Sequence, residues 1–305
     1  MNRRPILVTG SHRSGSTWAG QMLAEAPGIA YLHEPFNITR QRSINPTRYR
    51  YWFQYIDEKM YEEFSSDFEH ILQYDYPFWR NITEEKTVKD ITRVCKAQIV
   101  SWKYKIQSAR PLVKDPIAFF SAERLGETFA MDVVVMVRHP AAFCSSLKLK
   151  NWTFDFTHFL EQPELMDRYL KPFQAKIEDA VENEADIIDQ AILLWNCIHH
   201  TVLAYQQRHP EWMFVKHEVL SSNPADEFRK LYDRLGLVYT KEVESKILIS
   251  SGSHNPVEQV GDNEFQRNSV QNILNWKTRL TADEIERIKQ KTADISPYFY
   301  DEDTW

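Results

Sequence analysis

Between residues 6 and 18 the chain runs from Ile6, Leu7, Val8 and Thr9 into Gly10, Ser11, His12, Arg13, Ser14, Gly15, Ser16, Thr17 and Trp18, and then into a helical pattern. A strand, a glycine-bearing loop and a helix in that order constrain the fold more than any other stretch. They direct backbone N–H groups and the positive end of a helix dipole at an anion. The spacing nearly meets the phosphate-loop pattern of glycine, four residues, glycine, lysine and serine or threonine. The lysine is missing: Ser16 stands in its place, and the basic group sits inside the loop as Arg13. A nucleoside triphosphatase places that lysine on its β and γ phosphates, whereas a guanidinium within the loop suits an anion fixed close to it. Taken by themselves, Gly15 and Ser16 are better described as an ordinary turn with a serine N-cap.

Similar short apolar runs recur at 29–32, 111–113, 133–137 and 213–215, and helical patterns occupy 18–26, 117–125, 141–149, 185–207 and 224–235. This alternation predicts the α/β class, a P-loop-like parallel β-sheet flanked by helices. With 305 residues, 43% of them hydrophobic, the chain can bury one large core. It is therefore expected to form a single domain over 1–305, with a helical, aromatic-rich insert at about 45–106. Ile188, Ile192, Trp195, Ile198 and Val202 make a core-facing stripe, beside which His199 and His200 are packed or solvated and lack partners at metal spacing. Gly236 should end the helix at 224–235, Thr281 with Glu284 forms a capping box, and 252–271 is a polar surface loop of lid length.

The net charge of −6 argues against a nucleic-acid surface, so any anion site has to be built locally. Cys95, Cys144 and Cys197 lie far apart, with neither a disulfide framework nor zinc spacing. The apolar run at 5–8 is too short for a signal peptide and no 18-residue apolar stretch follows. A cytoplasmic protein without an integral membrane segment is the expectation.

A second anion site is suggested where the apolar run at 131–137 ends in Arg138, with Ser146 eight residues later on the next helix. Both can converge on one phosphate at the open edge of a parallel sheet, although a surface ion pair and a solvated serine fit the same residues. The run from Arg13 to Trp18 resembles the 5′-phosphosulfate loop of the PAPS-dependent sulfotransferases, and Arg138 with Ser146 resembles their 3′-phosphate motif. Val113, Lys114, Asp115 and Pro116 are similar to a segment of the tyrosylprotein branch. His217 and Glu218 stand where the family's late motif usually has tyrosine and glutamate. Arg267, Asn268 and Ser269, with Trp276 and Lys277, resemble C-terminal elements of the cytosolic members.

The resemblance implies 3′-phosphoadenylyl sulfate (PAPS) as donor, PAP as product, and no metal requirement. It implies donor contacts from His12, Arg13, Ser14, Gly15, Ser16, Thr17, Trp18, Arg138, Ser146, His217 and Arg267. Glu34, closing the segment Tyr31, Leu32, His33, Glu34, Pro35, matches the glutamate base of the carbohydrate and tyrosylprotein sulfotransferases, and Lys114 and Arg13 complete the catalytic set. The neighbouring His33 competes for the base role, because an imidazole with an ordinary pKa of about 6.5 suits proton transfer. Strand alternation favours one of the two facing the donor. The aromatics at 49–79 and Phe119, Phe120, Trp152, Phe154 and Phe156 either line an acceptor groove or pack the insert onto the sheet. The implied acceptor is a carbohydrate or glycolipid hydroxyl, with a lipid or specialised-metabolite hydroxyl as the alternative. A P-loop kinase and a non-catalytic nucleotide-binding protein are the readings from other classes.

Overall fold

Five strands, β1 (Ile6–Gly10), β2 (Ile29–His33), β3 (Arg110–Lys114), β4 (Asp132–Val137) and β5 (Met213–Lys216), pair in parallel in the order β2-β3-β1-β4-β5. The computed structural model describes residues 4–39, 49–75, 77–84, 87–183, 185–252, 255 and 268–305. Arg267 and most of the expected loop at 252–271 lie outside them. β1 and β3 are buried along their whole length. Covered on both faces by helices, these strands are apolar on both sides along their middle, Ile6 to Val8 in β1 and Leu112 to Val113 in β3, which is why they stand out in the sequence.

On one face helix α1 (Ser16–Ala24) brings Ala19 and Leu23 against Ile6, Val8, Met136, Phe228 and Leu231. On the other face a larger core forms around the helix Ile187–Arg208, whose Ile188, Ile192, Trp195, Ile198 and Val202 are all buried. His199 stacks on Trp195 with ring centroids 3.9 Å apart and lies wholly inside, a packed histidine. The helix Pro224–Leu235 stops at Gly236, whose φ of 64° is left-handed, and Thr281 and Glu284 form the reciprocal capping box.

Between β2 and β3 the chain makes helices α2 (Tyr61–Leu72), α3 (Phe78–Glu84) and α4 (Val88–Ile106). Tyr49, Phe53, Phe64, Phe68 and Tyr74 are buried, and Phe36 stacks on Tyr49 at 4.4 Å. Each fully buried ring of this kind stabilises by about 1.5–3 kcal/mol, enough for the cluster to hold the insert onto the sheet. These aromatics therefore pack. After β3 the chain forms helix α5 (Ala122–Thr128), and after β4 helix α6 (Pro140–Lys150), started by Pro140 and by the His139 ring accepting from the Ala141 N–H at 3.2 Å.

Candidate active site

The sheet has β1 at its centre, and the chain fills one side with β2 and β3 before crossing to β4 and β5. Such a reversal opens a crevice at the carboxyl edge between β1 and β4. The loop after β1, Glu34 after β2, Lys114 at the end of β3, Arg138 after β4 and His217 after β5 all gather at that edge.

The loop is held by its own backbone. Ser14 donates to the Ser11 carbonyl from its N–H at 3.3 Å and from its hydroxyl at 2.5 Å. Arg13 has φ 62°. The N-cap of α1 is Gly15, at φ 87° and without a capping side chain, so the serine cap suggested by the sequence is not used and Ser16 opens the helix. A Cβ on Gly15 would lie 2.4 Å from His217 Nδ1. Glycine is required there both by the left-handed backbone and by the imidazole packed on it.

Arg13 links the two anion motifs. Its Nε donates to Ser146 Oγ at 2.9 Å, its guanidinium carbon lies 5.6 Å from the centre of the Trp152 ring, and its carbonyl accepts from Arg138 Nη1. Arg138 is nearly buried, and its own carbonyl accepts from Trp195 Nε1 at 2.9 Å. Burial, with Arg138 and Arg13 close by, lowers the His217 pKa to about 3. His217 is thus a neutral ring beside two cations, and its buried Nδ1 has no hydrogen-bond partner among the described residues. Burial and then Arg13 lower His12 to about 4, against the opposing pull of Glu34. The His12 ring packs among Phe53, Phe143 and Trp152. Trp18 packs edge-on against Phe228 and donates to Ser250 Oγ at 2.9 Å. Thr17 lies in the first turn of α1.

Glu34 and Lys114 form a second cluster. Lys114 Nζ, fully buried, donates to Glu34 Oε1 at 2.5 Å, and Asn37 Nδ2 donates to Oε2 at 2.7 Å. Burial opposes the Glu34 charge, yet the Lys114 ammonium and the Asn37 amide hold the carboxyl below the ordinary glutamate range. His33 Nε2 is 3.8 Å from Glu34 Oε2. Strand alternation should have sent these two side chains to opposite faces, and it does not. β2 ends at His33, and Glu34 turns out of the strand with φ 49°, so both side chains reach the same place.

A family model described as the sulfotransferase family matches residues 5–241, a span that contains both clusters. The chain belongs to the sulfotransferase family. Members of this family take the group they transfer from PAPS. Among solved structures, the sulfotransferase resembles the sulfotransferase domain of the curacin biosynthetic pathway at 16% identity, over 96% of this chain and 99% of that one, with a TM-score of 0.48. It resembles a sulfotransferase from Mycobacterium avium at 15% identity over 98% and 78%, TM-score 0.45. It also resembles a mouse sulfotransferase complexed with PAP at 10% identity over 97% and 86%, TM-score 0.44. No curated protein matched the sequence.

Several residues that shape this sulfotransferase's site were not singled out for it by sequence. Asn37 fixes one oxygen of Glu34, and its own Oδ1 accepts from the Thr39 N–H at 3.0 Å and hydroxyl at 2.7 Å. Asp115 receives the Phe36 N–H at 2.6 Å and the Ile117 N–H at 2.9 Å, tying the turn after Glu34 to the end of β3. Burial pushes the Asp115 pKa up to about 7 in spite of those donors. Gly20 lets α1 lie on the Lys114 stem, since a Cβ there would be 2.8 Å from Lys114 Cγ. An asparagine three residues after a strand-end glutamate was the available signal for Asn37. The others depend on contacts between distant segments.

Proposed function

We propose that this sulfotransferase, acting as one catalytic domain, moves a sulfuryl group from PAPS to a hydroxyl of a carbohydrate or glycolipid acceptor without a metal ion. The observation that carries the reading is the meeting of Arg13, Ser146 and Arg138 at the edge where Glu34 pairs with Lys114. The residues suit an adenosine 3′,5′-bisphosphate on one further ground. His217 Nδ1, beside the loop, is a buried polar atom without a partner among the described residues.

In this reading the loop residues 12–18 hold the 5′ side of the donor, while Arg138 and Ser146, with Arg267, hold the 3′-phosphate. PAPS supplies the sulfuryl group and departs as PAP. Arg13 and Lys114 set positive charge where negative charge develops, a role that elsewhere falls to a metal. Glu34 accepts the proton of the acceptor hydroxyl at its carboxylate. The carbohydrate or glycolipid class rests on the likeness of residues 31–35 to the sugar-modifying branch.

A transfer assay with [³⁵S]PAPS against glycans, glycolipids, other lipids and phenols tests the acceptor. Label on glycans or glycolipids is the expected result, and label confined to phenols or simple lipids replaces the acceptor class. Calorimetry with PAP in EDTA should show binding. Its absence there, with binding restored by Mg²⁺, overturns the metal-free donor site.

A further inference from the structure

Helix α4 carries two apolar seams where a surface helix ordinarily carries one. Val94 and Ser101 are buried on its inner side, and Tyr104 meets Tyr74 at 5.6 Å. On the outer side, Val88, Ile91, Ile99, Trp102 and Ile106 are exposed by 81%, 37%, 63%, 60% and 84%. At 3.6 residues per turn these five fall within a sector of about 80° and run roughly 27 Å along the axis. Another exposed indole, Trp79, lies on the preceding helix α3. A continuous apolar stripe of this size on the solvent side marks an interaction surface.

The charge around it points to the partner. Residues 88–106 hold five basic residues, Lys89, Arg93, Lys96, Lys103 and Lys105, against the single acid Asp90, in a chain whose net charge is −6. Lys105 is paired with Asp75, so the charge that counts toward a partner is that of Lys96 and Lys103. Lys96 and Lys103 are exposed and one heptad apart, so they border the stripe along one edge. Pairing α4 with a second copy of itself is poorly matched. An antiparallel pair sets that lysine edge against its own copy, and a parallel pair meets the opposite edge, where Gln98 and Lys105 stand in place of acids. Aliphatic and tryptophan side chains flanked by lysines, whose stems extend toward the polar side, suit the boundary between acyl chains and anionic headgroups. Among the described residues no helix is long and apolar enough to cross a membrane, so the helix would rest on it.

We propose that the outer face of α4 docks on an anionic lipid bilayer, with the helix in the membrane plane. This does not depend on the acceptor or on sulfuryl transfer, because α4 supplies none of the residues at the carboxyl edge of the sheet. The test is co-sedimentation of the full chain with phosphatidylcholine vesicles, with and without phosphatidylserine. Binding is expected with phosphatidylserine, weakened by salt. Neutralising one lysine should lower partition about fivefold, and Lys96→Gln with Lys103→Gln together about 25-fold. Ile99→Ser with Trp102→Ser should lower it with PAP binding unchanged, which shows that the variant is folded. Three results overturn the proposal: no binding to phosphatidylserine vesicles, binding that neither pair of substitutions alters, or a dimer by light scattering that Trp102→Ser dissolves while vesicles are ignored.

Discussion

Glu34→Gln preserves the shape of the side chain and one oxygen for Lys114, and removes the charge and the capacity to take a proton. If Glu34 is the base, turnover should fall by about 10²–10⁴-fold. The fold should survive. Lys114 is completely buried and Glu34 nearly so, at 0% and 16% side-chain exposure, but the glutamine oxygen still accepts. The loss is then that of one charged hydrogen bond together with the counter-charge of the buried Lys114 ammonium, about 3–5 kcal/mol. The pH dependence separates the two neighbours. Lys114 and Asn37 outweigh burial and hold the Glu34 carboxyl below the ordinary range. A carboxylate base works above its pKa and fails as pH falls through it, so this acidic limb of kcat/KM must lie below the ordinary glutamate value of about 4.3. An imidazole base would instead lose rate as pH falls through about 6.5. The assay is kcat/KM across pH for the parent, Glu34→Gln and His33→Gln. A flat profile in the parent above the carboxylate range, kept by His33→Gln, is expected. A limb in the imidazole range that disappears in His33→Gln, with Glu34→Gln still active, would refute the assignment.

Arg138→Ala should weaken PAP by roughly 1.5–3 kcal/mol more than an analogue lacking the 3′-phosphate; because Arg138 also braces the Arg13 carbonyl, both ligands lose something and calorimetry reads the difference, with equal losses counting against the contact. Gly15→Ala forces a side chain into a left-handed position costing about 1–2 kcal/mol and onto the His217 ring. Its melting temperature should drop and recover in part when His217→Ala is added, and an unchanged melt would mean the ring is not seated there. Asn37→Ala removes one of the two hydrogen bonds found on the Glu34 carboxylate among the described residues. The acidic limb of kcat/KM should move to higher pH with PAP affinity unchanged, whereas a parallel loss of PAP binding would make Asn37 merely structural.

The five strands were legible as short apolar runs set between helical patterns, and the observed ends differ from the expected ones by a residue or two. The first loop was legible because Gly15 has to be glycine for two separate reasons, the turn and the ring behind it. Glu34 was legible only in part. Its position after β2 could be read, but not the positive φ that brings it beside His33, because that turn is pinned by Asp115 some eighty residues later. Trp152 over Arg13 and Trp195 under Arg138 likewise carry no local pattern, as each joins segments that meet only in the folded sheet. The outer seam of α4 was concealed by its composition, since nothing in a helical repeat says which of two apolar faces the body will cover.

The central place of β1 bears on how the molecule comes into being. Ile6 pairs with Leu112 on one side and with Asp132 on the other, so β1 cannot be flanked until the chain as far as β3 and β4 has followed it. His217, which closes over Gly15, arrives later still. Pairings between such distant segments carry a loop-closure cost that slows folding and leaves early strands exposed while they wait. The loop that leads into α1 is therefore made well before the segments that become its neighbours, and is among the last to acquire them.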